Sequence, residues 1–197
     1  MRALLLAAGL GTRLRPLTDH TPKCLVEIDG RPLLDYWLHA LFSNGIERVL
    51  INLHAHSTEV QKFIMGSKFA SRVSLSFEQN LLGTAGTIGE NITFFKGNNF
   101  FVAHADNLCV CDFDKFIKAH LDRPKHTEIT MMTFDTMYPK SCGIVRVDSE
   151  NVLIEFHEKV ANPPGHRANA AVYIMEPKVA NFCNSINRSG LDISNDV

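Results

Sequence analysis

The start of this chain constrains its fold more than any other stretch. Ala3 to Ala8 is an unbroken apolar run, and it ends at Gly9-Leu10-Gly11-Thr12-Arg13. A strand that is apolar at consecutive positions has no face to offer water. It must be covered on both sides, which is the condition of a parallel strand between two layers of helices. The run is far short of the roughly 20 residues that cross a bilayer, and with only Arg2 ahead of it it does not have the layout of a signal peptide. Arg13, Arg15 and Lys23 follow, with no carboxylate before Asp19. A strand that opens into a small-residue loop studded with cations suits a polyphosphate ligand.

The rest of the chain supplies the covering layers. Apolar residues recur at helical spacing from Pro32 to Phe42, and Asn44-Gly45 closes that helix. Further helices are predicted from Ser57 to Met65, Thr84 to Phe94, Phe113 to Leu121, and from Pro177 onward. Strands are predicted at Val49–Leu53, Val73–Phe77, Phe100–Ala103 and Ile129–Phe134. After Tyr138 come the short strands Ile144–Val147, Val152–Phe156 and Ala170–Met175. The βαβα order predicts an α/β fold: a doubly wound, mostly parallel sheet with helices on both faces and a small extra β part. Ligands in such folds sit at the carboxyl ends of the strands, which places the loops after Ala8, Phe77 and Ala103 on one rim.

Composition narrows the partners. The 197 residues carry a formal net charge of −1, so there is no global attraction to nucleic acid or to an anionic membrane. Five scattered cysteines argue for reduced thiols and a cytoplasmic protein. Cys109-Val110-Cys111 has neither the spacing nor the second pair of a zinc knuckle. No motif marks an interface, so the oligomeric state, homo-oligomer included, stays open.

The glycine loop fits neither of two common phosphate motifs. A dinucleotide fingerprint needs a third glycine and an acidic residue ending the second strand, and Asn52-Leu53-His54 offers none. A P-loop needs a Gly-Lys-Ser/Thr ending, which is absent. The full stretch, Ala7-Ala8-Gly9-Leu10-Gly11-Thr12-Arg13-Leu14-Arg15-Pro16-Leu17-Thr18 followed by Thr21-Pro22-Lys23, resembles the signature of the sugar-1-phosphate nucleotidylyltransferases, the NDP-sugar pyrophosphorylases. The resemblance implies a Rossmann-like nucleotidyltransferase fold that moves a nucleoside monophosphate from an NTP to a sugar 1-phosphate and releases pyrophosphate. It implies catalytic roles for Arg13 and Lys23 on the phosphates, and nucleotide contacts from Leu6, Ala8, Gly9, Gly11 and Thr12.

Three further groups extend the resemblance. Glu78-Gln79-Asn80-Leu81-Leu82-Gly83-Thr84-Ala85-Gly86 follows a predicted strand and implies base reading by Gln79 and Gly83, with Thr84 beside them; its Leu-Gly-Thr-Ala-Gly is most like the mannose-1-phosphate guanylyltransferase branch. His104-Ala105-Asp106-Asn107 implies Asp106 as a Mg²⁺ ligand, with Ala105 where the family has glycine. His104 reads as a packed histidine, since an ionised phosphate nucleophile needs no base. Gly143, Glu158, Lys159 and Asn169 fall on the family's sugar-phosphate contacts, and Ala171 stands where its Asn-Ala-Gly motif has glycine, so a methyl group narrows that part of the site. The family's second metal-binding aspartate lies beyond the stretch matched by Leu191 to Asp196, to whose carboxylates the resemblance gives a helix-start role. The sequence is therefore expected to form a single nucleotidyltransferase domain over 1–197 without its C-terminal end. The alternative reading is a nucleotide-sugar-binding sensor of the same fold that does not turn over.

Overall fold

The computed structural model describes residues 1–9, 11–54, 56–186, 188 and 190–197, and for Arg13 the backbone alone. In chain order the elements are β1 (Arg2–Leu6), β2 (Glu27–Ile28), β3 (Arg31–Pro32), α1 (Leu33–Ser43), β4 (Val49–Leu53), α2 (Ser57–Gly66), β5 (Val73–Phe77), α3 (Thr84–Glu90), α4 (Ile92–Phe95), β6 (Phe100–His104), α5 (Phe113–Leu121), β7 (Ile129–Asp135), β8 (Gly143–Val147), β9 (Leu153–Glu158), β10 (Arg167–Met175), α6 (Pro177–Ser185) and α7 (Ile193–Asp196). Among the described residues one eight-stranded sheet runs β5-β4-β1-β6-β10-β8-β9, with β7 paired to β10. The strands β5, β4, β1 and β6 are parallel. β10, β7, β8 and β9 add antiparallel pairs.

The apolar run behaves as its composition requires. Ala3 and Leu5 of β1 point into a core with Trp37, Leu38 and Leu41 of α1, Val60 and Ile64 of α2, and Phe113 and Phe116 of α5. Leu4 and Leu6 point the other way, onto Ala85 and Ile88 of α3 and Val179, Ala180 and Cys183 of α6. Each of these fully buried leucines contributes about 1.5–3 kcal/mol of hydrophobic stabilisation, so a helix layer on both faces is what makes the run tolerable.

Three local structures differ from expectation. The helix expected from Thr84 to Phe94 divides at Asn91, whose side-chain amide donates to Thr87 O at 2.9 Å. A side chain that competes for a helix carbonyl favours such a break. β9 runs on through Glu158, and β10 begins at Arg167, so Asn169 lies within a strand. A small hairpin, β2–β3, turns at Asp29-Gly30, both with positive φ (53° and 69°), the geometry of a two-residue hairpin turn. No helix among the described residues is long and apolar enough to cross a membrane.

Candidate active site

The parallel strands end on one rim, and the loops leaving β1, β5 and β6 meet there, as predicted. Leu6, Ala8, Gly9, Lys23, Gly83, Thr84 and Asp106 line one cleft, joined by Asn52, Glu78, Thr87 and His104. The loop after β1 begins with Ala7, whose N–H donates to Asn52 Oδ1 at 2.7 Å. At Gly9 a Cβ would meet nothing within 4 Å, so the missing side chain leaves the cleft open to an approaching ligand. Gly11 serves differently. Its φ is +64°, a Cβ there would lie 3.1 Å from Thr18 Cγ2, and its carbonyl accepts from Thr18 Oγ1 at 2.8 Å. It is a turn glycine that folds the loop back through 3₁₀ turns at Thr12–Leu14, Leu17–Asp19 and Lys23–Leu25.

That fold-back delivers Lys23 to the cleft. Its Nζ donates to Asp106 Oδ2 at 2.5 Å, joining residues from the loops after β1 and β6. Arg15 instead pairs with Asp19 on the surface at 3.3 Å. The side chain of Arg13 lies outside the described residues. Burial holds the His104 imidazole below its usual pKa, against the pull of Asp106 and Asp192. A neutral ring beside Asp106 agrees with the packed role expected of it. Burial also pushes the Cys24 thiol up to about 12, so at neutral pH it lines the cleft as a thiol and not as a nucleophile.

On the β5 side the structure separates the expected base readers. Gln79 is exposed, while Gly83 lines the cleft. The need for glycine at 83 has a second cause. Its φ is +80°, and a Cβ would stand 2.2 Å from the carbonyl oxygen of Leu191. That carbonyl accepts Ala85 N–H at 3.0 Å. Thr84 Oγ1 accepts Ile193 N–H at 2.8 Å and donates to Asp192 Oδ2 at 3.2 Å. Asp192 caps α7 by accepting Ser194 N–H at 2.8 Å, which is the helix-start role expected there.

Of the residues expected to meet the sugar phosphate, Gly143, Glu158 and Asn169 lie on β8, β9 and β10 and Lys159 directly follows β9; none of them lines the cleft. Gly143 pairs in register with Glu158, and a Cβ at 143 would lie 2.6 Å from Glu158 Oε2. Lys159 Nζ reaches Glu158 Oε1 at 2.5 Å. Asn169 Nδ2 donates to Tyr173 Oη at 2.6 Å, and its Oδ1 accepts Ala171 N–H at 2.8 Å. These bonds span the bulge where β10 shifts register between Asn169 and Tyr173. Ala171 sits in that bulge with φ +55°, a left-handed conformation that explains a glycine in the family motif. Asn107 links the two regions: its Nδ2 donates to Ala170 O at 2.8 Å, and its carbonyl accepts the buried Trp37 Nε1–H at 2.8 Å.

Sequence reasoning passed over Asn52, Glu78 and Thr87, which form a buried polar cluster at the back of the cleft. A polar residue inside the apolar strand Val49–Leu53 was the available signal.

A family model described as Nucleotidyl transferase matches residues 2–195. The mannose-1-phosphate guanylyltransferase catalytic subunit beta of Drosophila melanogaster is 33% identical over 182 residues, 90% of this chain and 49% of that protein. The UTP–glucose-1-phosphate uridylyltransferase of Synechocystis sp. is 29% identical over 196 residues, 92% of this chain and 50% of that protein. The chain spans about half the length of these curated relatives. The structure of UDP-glucose pyrophosphorylase complexed with UDP-glucose shares the fold, with a TM-score of 0.82 at 17% identity over 98% of this chain and 84% of that one. Glycine loop, cleft, fold and a match across nearly the whole sequence agree: the chain belongs to the nucleotidyl transferase family.

Proposed function

We propose that this chain transfers a nucleoside monophosphate from an NTP to a sugar 1-phosphate, releasing pyrophosphate, with GTP and mannose 1-phosphate the first pair to test. The observation that carries the reading is the meeting of Lys23 and Asp106 at a glycine-lined cleft. A cation on one loop and a carboxylate on the next are what a triphosphate with its counter-ion requires. The base and sugar follow the guanylyltransferase relative; the uridylyltransferase relative motivates UTP and glucose 1-phosphate as the comparison.

In the proposed reaction an ionised oxygen of the sugar phosphate attacks the α-phosphorus in line. The new P–O bond forms as the bond to the bridging oxygen breaks, and pyrophosphate leaves with the electron pair. Lys23 releases Asp106 and holds phosphate oxygens near the attacked phosphorus, and Arg13 supports the leaving pyrophosphate. Backbone amides of Ala8, Gly9, Gly11 and Thr12 face the phosphates, and Gln79 and Gly83 read the base. Gly143, Glu158, Lys159 and Asn169 receive the sugar phosphate. Among the described residues no three His, Cys, Asp or Glu side chains form a metal cage. Asp106 nevertheless fits Mg²⁺, which commonly binds through one or two carboxylates plus substrate phosphates and water. When bound, the ion neutralises charge developing on the phosphates.

The test is pyrophosphate release from a panel of NTPs and sugar 1-phosphates. The expected result is turnover with at least one pair and a preference for GTP with mannose 1-phosphate. NDP-sugar binding without turnover for any pair would replace this reading with that of a sensor.

A further inference from the structure

Glu78 follows β5 directly and is 7% exposed, yet no cation pairs with it among the described residues. Its partners are neutral donors. Oε1 accepts Thr87 Oγ1–H at 2.6 Å and Asn52 Nδ2–H at 2.9 Å. Oε2 accepts the backbone N–H of Leu82 at 3.2 Å. The backbone of Glu78 is fixed as well: its N–H donates to Leu53 O at 2.8 Å, and its carbonyl lies 2.9 Å from His54 Nδ1. A buried carboxylate costs several kcal/mol unless its oxygens are satisfied. Here donors converge on both oxygens, so an acceptor-only group is needed. A glutamine would turn an amide N–H toward at least one of them.

The geometry assigns Glu78 as the positioning residue of the loop from Gln79 to Gly83, and so of nucleotide selectivity. The inference rests on the nucleotide reading above. The loop leaves the sheet at Glu78, and the same side chain reaches back to bind the loop's far end at Leu82. Gln79 therefore projects from a segment pinned at both ends. Thr87, on the first turns of α3, also donates its backbone N–H to Gly83 O at 3.0 Å, so the cluster holds the start of the helix against the loop. The glycine turn is held separately, since Ala7 N–H donates to Asn52 Oδ1 and to neither oxygen of Glu78. Triphosphate binding by Lys23 comes from a separate segment and does not depend on Leu82.

The test compares wild type with Glu78→Gln. Amide hydrogen exchange at Leu82 is expected to rise at least tenfold while the Leu5 amide in β1 is unchanged. The ratio of kcat/KM between the preferred NTP and the next best is expected to fall about tenfold, with affinity for inorganic tripolyphosphate within threefold of wild type. If Glu78→Gln does not fold, Thr87→Val removes the one hydroxyl donor to Glu78 at similar size, and the same comparisons apply; Thr87→Ser, which keeps the hydroxyl, is expected to keep wild-type selectivity. Unchanged exchange at Leu82 overturns the inference, as does a uniform loss of NTP and tripolyphosphate binding. A wild-type chain that binds no NTP removes the nucleotide reading and the inference with it. A wild-type chain that binds NTP, beside a Glu78→Gln chain that discriminates equally well, removes the inference alone.

Discussion

Lys23 Nζ lies 2.5 Å from Asp106 Oδ2, and the two side chains are 24% and 36% exposed. A pair this open to water contributes at most about 1 kcal/mol to folding. The role proposed for the pair is in ligand chemistry. Asp106→Asn is expected to change unfolding free energy by less than about 1 kcal/mol and to lower turnover by at least about a hundredfold, since it removes the carboxylate proposed to meet the metal. Denaturant unfolding beside pyrophosphate release makes the comparison. A large stability loss with proportionate activity loss would make the pair structural.

In the proposed function the same contact would set an order of events. While the ammonium occupies Asp106, a divalent cation meets both a blocked oxygen and a like charge. Nucleotide phosphates would draw Lys23 away and supply the remaining ligands. Lys23→Met is therefore expected to bind Mn²⁺ more tightly than wild type in the absence of nucleotide, and to bind NTP more weakly. Calorimetry on the free protein, with and without NTP, reads both directions. Equal Mn²⁺ affinity in the two proteins would show that the pair does not guard the carboxylate.

Gly83 tests the tie between cleft and C-terminal segment. Its φ and ψ, 80° and 169°, fall in a region almost closed to residues with a Cβ, at a cost of about 1–3 kcal/mol. The Leu191 carbonyl occupies the Cβ position as well. Gly97 has φ +67° but nothing within 4 Å of its Cβ position. Gly97→Ala is expected to cost about 1 kcal/mol and Gly83→Ala at least about 3 kcal/mol. Equal losses in thermal or denaturant unfolding would show that the Leu191 contact yields without cost.

His120 predicts a pH dependence. It is 2% exposed and sits between Asn99 Nδ2 at 3.0 Å and Thr130 Oγ1 at 2.9 Å. Burial, with Arg123 nearby, pushes its pKa down to about 4. The unfolded chain, with an ordinary histidine near 6.5, then binds the proton more readily than the folded one. Stability falls as pH drops from about 6.5 toward 4, and is flat in this term above that range. His120→Gln is expected to make the slope in that window shallower, leaving the part due to His104, even if it lowers stability overall. Unfolding measured from pH 7.5 to 4.5 in both proteins isolates the difference, because His104, also lowered by burial, contributes to both alike and the lowered carboxylates Asp112, Glu155 and Asp196 titrate below most of the window.

What could be read in advance follows from range. The double-faced burial of Ala3 to Ala8 was visible because apolarity at consecutive positions is a local property, and the strand-end rule then brought Gly9, Gly83 and Asp106 to one rim. The partner of Gly83 was invisible, because Leu191 is remote in sequence and presents only a backbone carbonyl. Glu78 was passed over because a carboxylate at a strand end reads as solvated until Asn52 and Thr87 are seen to enclose it. The residues expected to meet the sugar phosphate were named, yet the bonds of Asn169 to Tyr173 and Ala171 depend on the β10 bulge, and a bulge leaves no mark in alternation.

Ala171 carries that bulge. Its φ of +55° costs an alanine about 1–2 kcal/mol relative to glycine. Glycine would recover this but would also loosen the unfolded chain by about 0.4–1 kcal/mol. The two effects leave a net gain of about 0–1.6 kcal/mol for Ala171→Gly. Ala171→Val is expected to lose more than it would at an ordinary strand position, since a β-branched side chain tolerates the left-handed region poorly. The Ala171 N–H to Asn169 Oδ1 bond is backbone on one side and survives either change. If the bulge rather than the methyl group sets the acceptor site, Ala171→Gly keeps KM for the sugar 1-phosphate near wild type while Ala171→Val raises it. A marked fall in KM for the glycine variant would show instead that the methyl group narrows the site.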